Sequence, residues 1–117
     1  MPFNQQTVNY DELAALFSGK PEEFVKVLKM VHEDFLNNHI LIMDAIADKD
    51  LDLFKRTYHN LRGNINLFDL FPLRDLMNKI ERNLEEGYVK DSTLVEELHN
   101  KFNLISQSLE NKIKELS

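Results

Sequence analysis

Four histidines are the side chains of this 117-residue chain best suited to nucleophilic or metal chemistry, for it has no cysteine. One of them, His59, sits in a pattern. Lys55, His59, Arg62, Gly63 and Asn66 recur at steps of three or four, which on a helix places them along one stripe. The stripe holds a nucleophile, a cation one turn to either side, and a residue with no side chain. That combination suits phosphoryl transfer. A neutral imidazole nitrogen attacks phosphorus in line with the leaving oxygen, and the loose transition state spreads negative charge over three equatorial oxygens that a cation stabilises. Arg62 offers several fixed N–H donors to those oxygens, and Lys55 a mobile point charge from the opposite side. Histidine is apt because it can be neutral at about pH 7, with one ring nitrogen reacting while the other is oriented.

Gly63 is the oddity of the stripe, since a glycine inside a helix costs about 1 kcal/mol relative to alanine. Bare backbone beside His59 would let the active-site loop of a second protein approach closely enough for the imidazole to reach an aspartyl phosphate. The plainer alternative is that Gly63 permits close helix packing or marks a bend.

The elements that must position this stripe are helices. Only three Gly and three Pro occur, and long segments are rich in Leu, Glu, Lys, Asn and Met. A short helix is predicted over residues 10–18, with Asn9 as its cap, Glu12 as the reciprocal partner and Gly19 as its stop. Pro21 suits the first turn of a long second helix over 21–47, whose apolar positions Phe24, Leu28, Val31, Phe35, Ile42 and Ile46 share one side. Asp50 caps a third, where Leu51, Phe54, Tyr58, Leu61, Ile65 and Phe68 give the clearest period in the sequence. A fourth starts at Pro72 and runs to Gly87. A fifth starts near Ser92 and reaches the terminus through Leu94, Leu98, Phe102, Ile105, Leu109, Ile113 and Leu116. Short connections between long amphipathic helices favour antiparallel neighbours. The expectation is an all-α fold, an antiparallel up-and-down four-helix bundle with a short additional N-terminal helix as a lid. It forms one domain over 1–117, in which 1–8 are a loose lead-in with Phe3 or Val8 pinned to the bundle.

With His59 and its neighbours placed on that third helix, His59-Asn60-Leu61-Arg62-Gly63 resembles the His-x-Leu-Lys/Arg-Gly signature of histidine phosphotransfer domains. The resemblance covers roughly residues 8–87. Tyr10-Asp11-Glu12-Leu13, the Gly19-Lys20-Pro21 break, Phe24 and the segment from Ala45 to Leu53 are similar to the family's N-terminal half. Leu73, Leu76, Met77, Ile80 and Glu81 fall where the family places the face of its next helix. Asn64 and Ile65 depart from it, standing where small residues often follow the glycine, and Asp69 stands where the family often has glycine. The resemblance implies a phosphorelay carrier. His59 would take a phosphoryl group from a receiver-domain aspartate and pass it to another receiver, with Arg62 as the basic position and Gly63 as the access glycine. Its partners would be receiver domains of response regulators or hybrid histidine kinases. The Mg²⁺ would sit on the receiver, so no cofactor or metal is expected on this chain, and it would be a phosphocarrier, not an autonomous kinase. The alternative reading is a helical module that binds receiver or kinase domains without being phosphorylated.

In an antiparallel pair joined near Lys49, position 59 lies level with about position 39. The run His39-Ile40-Leu41-Ile42-Met43 wraps more than half of the second helix, so one or two of its apolar side chains should be exposed near His59. Phe35, Ile40 or Met43 is the expected docking contribution.

Other classes fare worse. A net charge of -6 argues against nucleic acid. Without cysteine there is no disulfide framework and no thiolate zinc site. No apolar run approaches the roughly 20 residues of a membrane span, and the start lacks the features of a signal peptide. A cytoplasmic monomer is therefore expected. A carboxylate-bundle metal enzyme needs two Glu-x-x-His pairs, whereas only Glu96 with His99 qualifies, and that pair reads as solvated. His32 and His39, seven apart, read as partly exposed neighbours of the core. There is no glycine-flanked serine elbow or phosphate-cradling glycine loop.

Overall fold

The computed structural model describes residues 8–117. Phe3 lies outside the described residues. Five helices follow in order, α1 (Asp11–Leu16), α2 (Pro21–Ala47), α3 (Leu51–Leu67), α4 (Phe71–Glu85) and α5 (Ser92–Leu116), and no strand occurs among the described residues. The fold is all-helical.

Local chemistry explains most of the boundaries. Pro21 opens α2, where its missing N–H costs nothing. The Asp50 carboxylate accepts from the backbone N–H of Leu53 at 3.0 Å and caps α3. Asp91 does the same for α5 through the N–H of Thr93 at 3.0 Å. At α1 the helix is shorter than the predicted 10–18. Asn9 bonds the N–H of Asp11 at 3.0 Å, but Tyr10 is the capping position and makes no side-chain cap. The Asn9 amide instead donates to the Asp69 carboxylate at 2.7 Å, and its backbone N–H donates to the Phe68 carbonyl at 3.0 Å. These bonds tie the lead-in to the far end of α3. Val8 is accordingly buried, at 2 % exposure.

α2 packs against α3 and α5, and α4 packs against the same two. Each turns the apolar stripe read from the sequence into a shared core, with Phe35, Phe54, Phe68 and Phe102 fully buried. Replacing any of these by alanine costs about 3–5 kcal/mol. Phe35 and Phe102 meet edge to face across α2 and α5, at 6.3 Å between ring centres. The periodicity did not announce two polar residues in this interior, Asn38 and Thr57. Each is satisfied locally, Asn38 by donating to the Asp34 carbonyl at 2.9 Å and Thr57 by donating to the Leu53 carbonyl at 2.8 Å.

The turns on either side of α3 each need one residue in the left-handed region, Lys49 at φ +56° and Asp69 at φ +54°. An L-residue pays roughly 1–2 kcal/mol there, least when a short polar side chain can bond locally. Asp69, standing where glycine would be natural, has such a bond to Asn9. Among the described residues no helix is long and apolar enough to cross a membrane.

Candidate functional site

The site is built on the middle of α3. Two side-chain bonds fix that helix between its neighbours. The Tyr58 hydroxyl donates to Asn78 Oδ1 on α4 at 2.6 Å, and Asn64 Nδ2 donates to Asp34 Oδ2 on α2 at 3.4 Å. Burial pushes the Tyr58 phenol above its ordinary range, with Arg62 partly offsetting this, so the hydroxyl keeps the proton it gives to Asn78. The pairing of Asn64 with Asp34 also sets position 59 level with about 39, the register expected from equal rise along both helices.

With Phe54, Tyr58, Leu61 and Ile65 turned inward, the residues of the stripe fall on the outer face, and Lys55, His59, Arg62, Gly63 and Asn66 are all exposed. Among the described residues the His59 ring has no hydrogen-bond partner. It borders a shallow groove of about 410 Å³ between α2 and α3, lined also by Leu41, Leu53, Lys55, Arg56 and Asn60.

The cations divide unequally. Arg62 lies over the Tyr58 ring at 5.3 Å from its centre, on the side of α3 that faces α4, with no ion-pair partner among the described residues. Lys55 is drawn to Glu85 of α4, Nζ to carboxylate 3.7 Å, with both side chains about half exposed. Such a pair is worth about 0.2–1 kcal/mol, and it spends part of the lysine's charge away from His59. Arg56 was not singled out from the sequence. It borders the same groove as His59 and likewise has no ion-pair partner among the described residues. Its signal was the step of three back from His59, as regular as the step of four that picked out Lys55.

Gly63 has open space around it. A Cβ built there meets nothing within 4 Å, and α3 runs through the position unbroken from Leu51 to Leu67. The alternative of close helix packing is therefore set aside. Nothing within the described residues uses the missing side chain.

Of the three residues expected to contribute to docking, Phe35 is corrected. It is 1 % exposed and packed on Phe102, because it falls on the inward stripe of α2 with Leu28, Val31 and Ile42. Met43 is half-buried, and Ile40 is 61 % exposed. Leu41, part of the same run but not chosen, is 40 % exposed and is the α2 residue that borders the His59 groove. His99 was read as a solvated partner of Glu96. It is exposed, but its ring meets His39 across α2 and α5, nitrogen to nitrogen at 2.9 Å, and not Glu96.

No family model, curated protein or solved structure matches this chain.

Proposed function

We infer that this chain is a histidine phosphotransfer domain. In this reading α2–α5 form an antiparallel up-and-down four-helix bundle with α1 as its lid, and His59 carries a phosphoryl group between receiver domains. The observation that carries it is the pairing of His59 with Gly63: an exposed imidazole without a hydrogen-bond partner among the described residues, beside a glycine that packing there does not require.

The chemistry follows from what is near the ring. An imidazole nitrogen of His59 attacks the phosphorus of an aspartyl phosphate, forming an N–P bond as the O–P bond breaks and the receiver's carboxylate leaves. Transfer to a second receiver reverses the step. Arg56 and Arg62 offer N–H donors to the phosphoryl oxygens from the two sides of His59, and Lys55 contributes less while held by Glu85. The receiver supplies the Mg²⁺ and most of the catalysis. Gly63 admits its loop, and Leu41 with Ile40 gives an apolar shoulder on α2 against which it can seat. A cytoplasmic monomer belongs to the same reading.

The test is to incubate the chain with a phosphorylated receiver domain and look for an acid-labile, base-stable phosphoryl group. Wild type should acquire it, and His59→Gln should not, with helicity unchanged. If wild type takes phosphate from no receiver of its source organism, the carrier role is lost and only a binding module remains.

A further inference from the structure

The seam between α2 and α5 holds a second histidine arrangement, which the chemistry at His59 does not use. His39 Nε2 lies 2.9 Å from His99 Nδ1, while the ring centres are 4.8 Å apart and the planes are inclined by 46°. The nitrogens are far nearer than the centres, so the two rings turn their nitrogen edges toward each other. His39 also lies flat on Phe102, with centres 4.6 Å apart and planes within 9°. Phe102 is itself fixed in the core. One ring is thus immobilised by packing, and the other is brought to it by a helix 60 residues further along the chain.

We propose that His39 and His99 form a two-histidine site for a divalent transition-metal ion, of the class that favours imidazole nitrogen, clipping α2 to α5. Bonds of about 2.0–2.1 Å from zinc to two nitrogens, meeting at roughly 90–110°, put those nitrogens about 2.9–3.4 Å apart. The observed separation lies at the short end of that span, so the helix backbones already stand at a spacing that a shared ion accepts. Zinc, copper and nickel all suit such a donor pair. Burial, and then the neighbouring His99, hold His39 below the ordinary imidazole range, which keeps its lone pair available at neutral pH. On binding, the hydrogen between the two rings moves to the other nitrogen of its own ring. Both lone pairs then go to the ion, and nothing is oxidised or reduced. Among the described residues no group of three or more histidines and carboxylates forms a metal cluster, so water completes the coordination and the affinity is that of a two-ligand site, below that of a closed four-ligand one. The ion binds only the folded chain, so it raises stability by mass action.

The experiment is a Zn²⁺ titration of the whole chain, followed by the NMR signals of the histidine rings and by the thermal midpoint. The His39 and His99 signals should move first and follow one binding curve, with one ion per chain at saturation, and the midpoint should rise. His99→Gln, at an exposed position, and His39→Gln should each weaken binding tenfold or more, while His32→Gln leaves it intact. The proposal is overturned if the His39 and His99 signals stay put up to millimolar Zn²⁺, or if His99→Gln binds as tightly as wild type. Neither result depends on phosphoryl transfer, so this site and the role of His59 stand or fall separately.

Discussion

His59 and His39 sit at the same level of neighbouring helices and have been given opposite surroundings. His59 projects from the outer face of α3, with cations near it and no hydrogen-bond partner among the described residues. His39 is wedged in the α2–α5 seam, stacked on Phe102 and joined to His99. One ring is free to meet a second molecule, and the other is committed within its own. Residue type and spacing place a histidine, but the direction in which its helix turns it decides whether its nitrogen meets solvent or another side chain.

The sharpest way to break this contrast is to close off the first ring while leaving the second alone. Gly63→Leu should cut phosphoryl uptake on the order of 10²-fold, the penalty for displacing a reacting group by about an ångström, and Gly63→Ala should cut it less. Both should raise unfolding stability, by about 1 kcal/mol for alanine, because the added side chain meets nothing and the helix gains propensity. Loss of transfer with gain of stability is the signature; unchanged transfer in the leucine variant would remove the access role. Next come the cations. Arg62→Ala and Arg56→Ala would each remove charge-assisted hydrogen bonds to the phosphoryl group worth about 1.5–3 kcal/mol, so each should slow transfer tenfold or more in single-turnover assays; Arg56→Ala should leave the denaturant midpoint in place, and Arg62→Ala should cost about 0.5–1 kcal/mol for its lost contact with Tyr58.

Smaller effects probe the second ring. The folded chain holds His39 below its ordinary value, so as pH falls through about 6.5 the unfolded chain takes up the proton first and stability declines. Above that range this contribution is constant. Melting scans at pH 7.5 and 5.5, values of about one unit to either side, should show a drop that His39→Gln lessens. An equal drop in the variant would mean that the pair carries no such linkage. Smallest of all should be Lys55→Ala, with a stability change within about 0.2–1 kcal/mol and a weaker effect on transfer than either arginine, because Glu85 already shares its charge.

The helices and the outward stripe were legible in the sequence because they depend on residues within a few turns of one another. Asp50, Pro21 and the step from Leu51 to Phe68 define α3 and the second helix to within a residue. Phe35 lies outside the run from His39 to Met43 and on the stripe whose spacing assigns it to the core, so its expected docking role conflicted with its own periodicity. Its burial was set by the phase of the stripe through Leu28, Val31 and Ile42. Leu41 beside His59 and the meeting of His39 with His99 are products of how separate helices are rotated and paired, and no local spacing records that.

The bond from the Tyr58 hydroxyl to Asn78 has a mechanical consequence. A helix advances by about 100° per residue, so a roll of α3 about its own axis by a small part of a turn would swing His59 toward one neighbour and away from the solvent it addresses. Apolar packing tolerates some roll, since one greasy contact can replace another. A hydroxyl and an amide held at 2.6 Å on the flank of the helix do not, and they act as a key in a shaft, fixing the bearing on which the imidazole is aimed.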